Sequence, residues 1–246
     1  MITNKSTLFI VFSLFMALSA CEKLMDTSPE KLPAKLTFEF AIDQYELIDD
    51  KDDNASQGNN QSRFIIDSGF MTIENIEFDG RRQHGATNVY FISDFPETVL
   101  LNLTDNLSQT GISFDIPQGV YSMVELTFHL GDDHHPSLVM EGSFQRGNHE
   151  PVEVRFEYNY REQIRVKANR HGGQDEMVFN KDEVSMAEVY VDTHSLSRLI
   201  NFGMLMNAET VIVDGQEILL INEHSNQGLY NSISARLNQA LRVLIR

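Results

Sequence analysis

Hydrophobic and polar residues alternate with a period of two through most of residues 34–192, the pattern of half-buried strands. Leu36, Phe38 and Phe40 open it, alternating with Thr37 and Glu39. Arg63 to Phe78 resumes it, with Ser68-Gly69 as a bend or bulge, and Asp79-Gly80 then reads as a turn. Val89–Ile92, Thr98–Leu103 and the series Ile112, Phe114, Ile116 read as further strands. Pro117-Gln118-Gly119 turns the chain into Val120–Leu130, the strongest strand signal. Strict alternation puts Tyr121, Met123, Glu125, Thr127 and His129 on one face of it. Val120, Val124, Leu126, Phe128 and Leu130 take the other, interrupted by Ser122. A hairpin turn at Gly131–Pro136 leads to Ser137–Phe144, and Gly147–Glu150 turns into one long strand, Val152–Ala168. The loop 169–174 precedes a last strand, Glu176–Val191. About nine strands with turns between them and no helical period predict a mainly β fold, an antiparallel β-sandwich.

The pattern changes after residue 192. Thr193 or Ser195 can cap a helix carrying Leu196, Leu199, Ile200 and Met204, weakened by Gly203. Val211–Val213, Asp214-Gly215 and Ile218–Ile221 read as a hairpin. Ser225 or Asn226 can cap a second helix in which Leu229, Ile233, Leu237 and Leu241 recur every four residues. Residues 193–246 thus predict a helix–hairpin–helix appendage packed on the sandwich.

Two polar runs carry candidate chemistry. Asp132, Asp133, His134 and His135 crowd the hairpin turn, and His129 lies on the strand before it. Imidazole with carboxylate suits a transition metal, although turns also use Asp for backbone hydrogen bonds. The run DDKDDNASQGNNQS over 49–62 reads as a solvated, mobile loop. Asp50, Asp52 and Asn54 match the first ligand positions of a calcium loop. Ala55 stands where glycine is needed and Gln61 where a bidentate glutamate belongs, so only a looser calcium site is left. The loops 49–62, 79–88, 131–136 and 169–175 are candidates for recognition, and Tyr158, Tyr160 and Tyr190 for an aromatic sugar platform. No nucleophile–base motif, metalloprotease helix or phosphate-cradling glycine loop appears, which favours a non-enzymatic role. His171 beside Gly172-Gly173 reads as an exposed loop residue.

The N-terminus sets the compartment. Lys5 precedes the apolar run Leu8–Ala17, which ends in Leu18-Ser19-Ala20-Cys21. A basic start, a short apolar core and small residues before a cleavage point predict a secretory signal over residues 1–20. Leu-Ser-Ala-Cys resembles the lipobox of bacterial lipoproteins. That resemblance implies cleavage before Cys21, acylation of Cys21, and an outer-membrane anchor facing the periplasm or the cell surface. Residues 21–33, with Pro29 and Pro33, read as a tether, and Glu22 and Asp26 could bear on sorting between membranes. Cys21 is the only cysteine, so a lipidated chain has no thiol left for a disulfide or a thiolate metal site. The formal charge is −17, and −18 once the signal with Lys5 is gone. Such a balance repels nucleic acid and anionic lipid headgroups, which leaves acyl chains to make the membrane contact.

Three stretches of the body resemble the all-β lipoproteins of the Bacteroidota. They are Gly69–Ile76 leading to Asp79-Gly80, Ile116–Tyr121, and Leu126–Gly131. Phe128, Leu130, Gly131 and Asp133 are also similar to a stretch of the MbnP-like copper-associated lipoproteins. That family leans on tryptophan and this chain has none, so the resemblance implies fold and compartment, not copper chemistry. The sequence reading is a lipid-anchored envelope protein that binds an unnamed protein or glycan or gives structural support. A metal-binding lipoprotein using the 129–135 hairpin is the alternative, and a polysaccharide hydrolase the third.

Overall fold

The computed structural model describes residues 32–49, 61–83, 88–93, 95–172 and 176–246. Cys21 and the acidic stretch 50–60 lie outside the described residues. The fold is mainly β, as the period-two pattern predicts. In chain order the strands are β1 (Pro33–Asp43), β2 (Tyr45–Ile48), β3 (Arg63–Arg82), β4 (Val89–Ile92), β5 (Val99–Leu103) and β6 (Ser108–Pro117). Next come β7 (Gly119–Leu130), β8 (Leu138–Gln145), β9 (Val152–Tyr158), β10 (Glu162–Lys167), β11 (Asn169–Arg170), β12 (Met177–Phe179) and β13 (Val184–Asp192). Helices α1 (Thr193–Ser197) and α2 (Phe202–Met206), the hairpin β14 (Val211–Val213) and β15 (Gln216–Ile221), α3 (Gln227–Ser234) and β16 (Leu241–Ile245) close the chain.

Two sheets form. The smaller has five strands in the order β11-β16-β13-β1-β6, and the larger, of eleven, is built along β3. One edge of β3 pairs in succession with β2, β5 and β4, and the other with β8 and then β7. Phenylalanines tie the sheets together: the Phe40 and Phe128 rings meet edge-on at 6.1 Å, and Phe78 lies 6.5 Å from Phe114. All four belong to one apolar core, Phe114 at its margin. Burying such a side chain contributes roughly 1.5–3 kcal/mol, so these contacts add materially to what holds the sheets.

Several expectations are corrected. Asp79-Gly80 is no turn; β3 runs through it to Arg82, paired on both edges there. The missing side chain at Gly80 leaves room for the rings of Phe78 and Tyr121, which a Cβ would approach to 2.6 Å. Tyr121 does not share a face with His129. The β3–β7 register slips between Arg81 and Arg82, and the extra residue turns Tyr121 into the core. The Ser68-Gly69 irregularity is real, a register shift between Ile66 and Ser68 against β8. The long strand 152–168 is two, β9 beside β8 and β10 beside β7. Residues 176–191 likewise divide between the sheets, β12 on β7 and β13 on β1. The sheets are not purely antiparallel: β1–β13, β9–β15 and β11–β16 run parallel.

The C-terminal segment is woven in rather than appended. The β14–β15 hairpin forms as predicted, and β15 then extends the large sheet beside β9. The first predicted helix is two short ones, capped by Asp192 and Asn201, whose side chains accept from Ser195 N and Met204 N. The second ends at Ser234. Leu229, Ile233, Leu237 and Leu241 are all buried, but Leu241 belongs to β16 in the small sheet. Leu241, Val243 and Ile245 also alternate with Arg242 and Leu244, and that shorter period wins because β13 offers a free edge. No helix among the described residues is long and apolar enough to cross a membrane.

Candidate functional site

Residues 129–135 do not form a hairpin. Strands β7 and β8 both run antiparallel to β3 along the same edge, so they lie end to end. Leu130 pairs with Ile73 and Leu138 with Met71, and the segment 131–137 loops out opposite Thr72. Thr72 seals the seam. Its carbonyl accepts from Gly131 N at 2.9 Å, its N–H donates to Ser137 O at 3.0 Å, and its hydroxyl donates to Pro136 O at 2.8 Å. Ser137 is fully buried and donates its hydroxyl to Tyr160 O at 2.5 Å.

The five predicted ligands fall into separate groups. Asp132 Oδ1 accepts from the backbone N–H of His134 at 2.7 Å and of His135 at 2.6 Å, and His135 Nδ1 lies 3.1 Å from its Oδ2. Those bonds hold the Asp132 carboxyl far below the usual carboxylate range, the His134 N–H contributing most. Asp132 thus works as a turn cap. Asp133 meets Arg161 at 3.2 Å, and Arg161 also reaches Glu74 at 3.6 Å. His134 donates only its backbone N–H to this network. His129 faces away, its Nε2 lying 2.6 Å from Glu77 Oε1 on the outer face of the large sheet. Tyr90 donates to the other Glu77 oxygen at 2.9 Å. The His129 bond, first among the causes, lowers the Glu77 carboxyl, and that carboxylate raises the Tyr90 phenol. Beside them Arg165 pairs with Glu125 and lies 3.8 Å from Asp79. No group of three or more His, Cys, Asp or Glu among the described residues is disposed to hold a metal.

Of the three tyrosines predicted as a platform, Tyr158 and Tyr160 do come together, their rings meeting edge-on at 5.7 Å, and only Tyr190 lies apart. Tyr158 stacks on Tyr230 of α3 at 6.3 Å, and burial and Glu162 push its phenol up. Tyr160 follows the end of β9, and Tyr190 lies on the small sheet.

Sequence reasoning missed a second arrangement, on the outer face of the small sheet. Between Thr37–Ser113 and Glu39–Gln109 the β1–β6 ladder is broken, so residues 110–112 stand opposite Phe38 alone. Thr110 replaces part of the lost ladder by donating its hydroxyl to Phe38 O at 3.1 Å and accepting from Ile112 N at 3.2 Å. Gly111 takes a left-handed φ of 73° with open space where a Cβ would stand. A cavity of about 250 Å³ lies at this break, with Phe38 and Ile112 among its apolar lining and Lys35, Thr37, Glu39, Gln109 and Ser113 around it. Beside it Glu39 and Glu188 are register partners on parallel strands, their side chains only 9% and 5% exposed. Arg246 serves both, at 3.7 Å and 3.1 Å, and Tyr190 donates to Glu188 at 3.1 Å. The signal for Glu39 was faint: Ala41 follows on the same strand face, so that face is not uniformly polar. The pairing across 149 positions was not in the local pattern at all.

No protein-family model matches the chain, and no curated protein or solved structure matches it either.

Proposed function

We propose that this protein is a lipid-anchored, extracytoplasmic β-sandwich that serves the cell envelope as a binding or structural module rather than as a catalyst. One observation carries the anchor: the apolar run Leu8–Ala17 ends in Leu18-Ser19-Ala20-Cys21, the order a lipoprotein signal needs. Acyl chains on Cys21 would hold the chain at the outer membrane, each buried CH₂ contributing roughly 0.8 kcal/mol. The ring contacts between the two sheets support the sandwich reading, and a stiff β frame presenting loops and a cavity favours recognition over turnover. The negative charge of the chain argues against nucleic acid as the partner.

The test is fractionation of the full chain and of Cys21→Ser, with labelled fatty acid supplied to the cells. The parent should be labelled and pellet with the outer membrane, and the variant should be unlabelled and either soluble or uncleaved. A variant that is still cleaved and held at the membrane overturns the anchor.

A further inference from the structure

The cavity at the β1–β6 break has a chemical polarity along its length. At one end Glu39 lines it, and Glu39 and its strand neighbour Glu188 are two buried carboxylates held against one guanidinium, which is itself 54% exposed. Buried charge is costly unless it is matched, and one arginine matches only one of the two. Glu188 also has the Tyr190 hydroxyl, whereas Glu39 has Arg246 at 3.7 Å. An incoming ammonium beside Glu39 restores the balance. At the other end Lys35 lines the cavity, and its ammonium suits a carboxylate. Between them Thr37 shares the strand face, and the exposed apolar surface is that of Val184, with Met186 beside it; Phe38 and Ile112 close the floor and are themselves buried.

Spacing selects among zwitterions. Lys35 and Glu39 share one strand face four positions apart, roughly 13 Å between Cα atoms. The reach of a lysine and of a glutamate side chain lets the two charges come within several ångströms of each other across that span. A dipeptide's charged ends stand roughly 6–7 Å apart, whereas those of a free amino acid are on adjacent atoms of a single Cα. The volume is also small, about 250 Å³ against the roughly 300–1,000 Å³ of drug-sized sites. We propose that this cavity binds the zwitterionic form of a short apolar peptide, its ammonium on Glu39, its side chains against Val184 and Met186, and its carboxylate toward Lys35. The proposal deepens the binding-module reading and is independent of the anchor.

Calorimetric titration of the full chain in detergent tests it, with alanyl-leucine, N-acetyl-alanyl-leucine, free leucine and glucose as the four ligands. Alanyl-leucine should bind saturably, and acetylation of its amine should weaken binding about tenfold or more, as loss of a charge-assisted bond does. Glu39→Gln should do the same. Val184→Trp, at an exposed position on the cavity wall, should block binding while leaving the thermal unfolding curve in place. No saturable binding of alanyl-leucine overturns the proposal. So does equal binding of the acetylated form, undiminished binding by a folded Val184→Trp protein, or binding of leucine or glucose in its place. None of these results bears on membrane fractionation, so the ligand and the anchor fail separately.

Discussion

Two strand ladders in this protein are interrupted in the same way and end differently. Opposite Thr72 the chain leaves the ladder at Gly131 and returns at Ser137; opposite Phe38 it leaves at Thr110 and returns at Ile112. The first excursion is rich in acids and histidines, yet it closes on itself. Thr72, Ser137, Asp132 and Arg161 take up its polar groups. The second holds only Thr110, Gly111 and Ile112, yet it leaves a cavity with a cation at one end and a buried carboxylate at the other. Polar density along the chain does not mark a site. What marks one is polar or apolar surface that the fold leaves unfilled.

Substitutions can probe that difference. Phe128→Ala removes the ring that Phe40 packs against across the sheets and should cost about 3–5 kcal/mol in denaturant unfolding. One cooperative transition for both regions is expected; separate transitions of the two sheets would break the shared-core picture. Next is the contrast between two left-handed glycines. Gly131→Ala meets both a φ of 84° and the Ser137 side chain, and should cost about 2–4 kcal/mol. Gly111→Ala, at φ 73° with open space around it, carries backbone strain alone and should cost about 1 kcal/mol. Equal losses would mean the first seam is no better sealed than the second.

The Glu77–His129 pair offers a pH test. The folded protein holds the Glu77 carboxyl below its usual value, so the pair contributes stability above about pH 4.5 and loses it as pH falls through the folded value. Glu77→Gln should therefore lose less stability than the parent over that acid range, measured as urea midpoints at stepped pH. Parallel curves would remove the pair from the account of acid unfolding. Smallest of all, Asp132→Ala should speed hydrogen exchange at the His134 and His135 amides without moving the global transition. Unchanged exchange there would deny Asp132 its capping role.

The strands were largely legible because period two is written locally: Leu36, Phe38 and Phe40 are buried as the alternation predicts. Tyr121 was not, because a bulge one residue long reverses alternation and leaves no mark in the pattern. Leu241 was placed correctly as buried and wrongly as helical, since a spacing of four fits both a helix face and every second residue of a strand. His129 and Asp132 looked like neighbours in sequence, but one faces outward from a strand and the other caps a loop. Glu39, Glu188 and Arg246 meet only through pairings of β1, β13 and β16, which no window along the chain contains.

That last set of pairings also dictates an order of events. Lys35 in β1 waits for Val184 in β13, and β13 in turn for Leu241–Ile245. A chain delivered from its N-terminus can pair β3 with β8 early, because those strands are close in sequence. The smaller sheet stays open until the final residues arrive, with Phe38 and Phe40 uncovered meanwhile. Such long-range closure is slow and leaves sticky surface exposed, so the last six residues act as a latch for the whole molecule. A chain cut before Leu241 should be recovered as aggregate rather than as a slightly shorter fold.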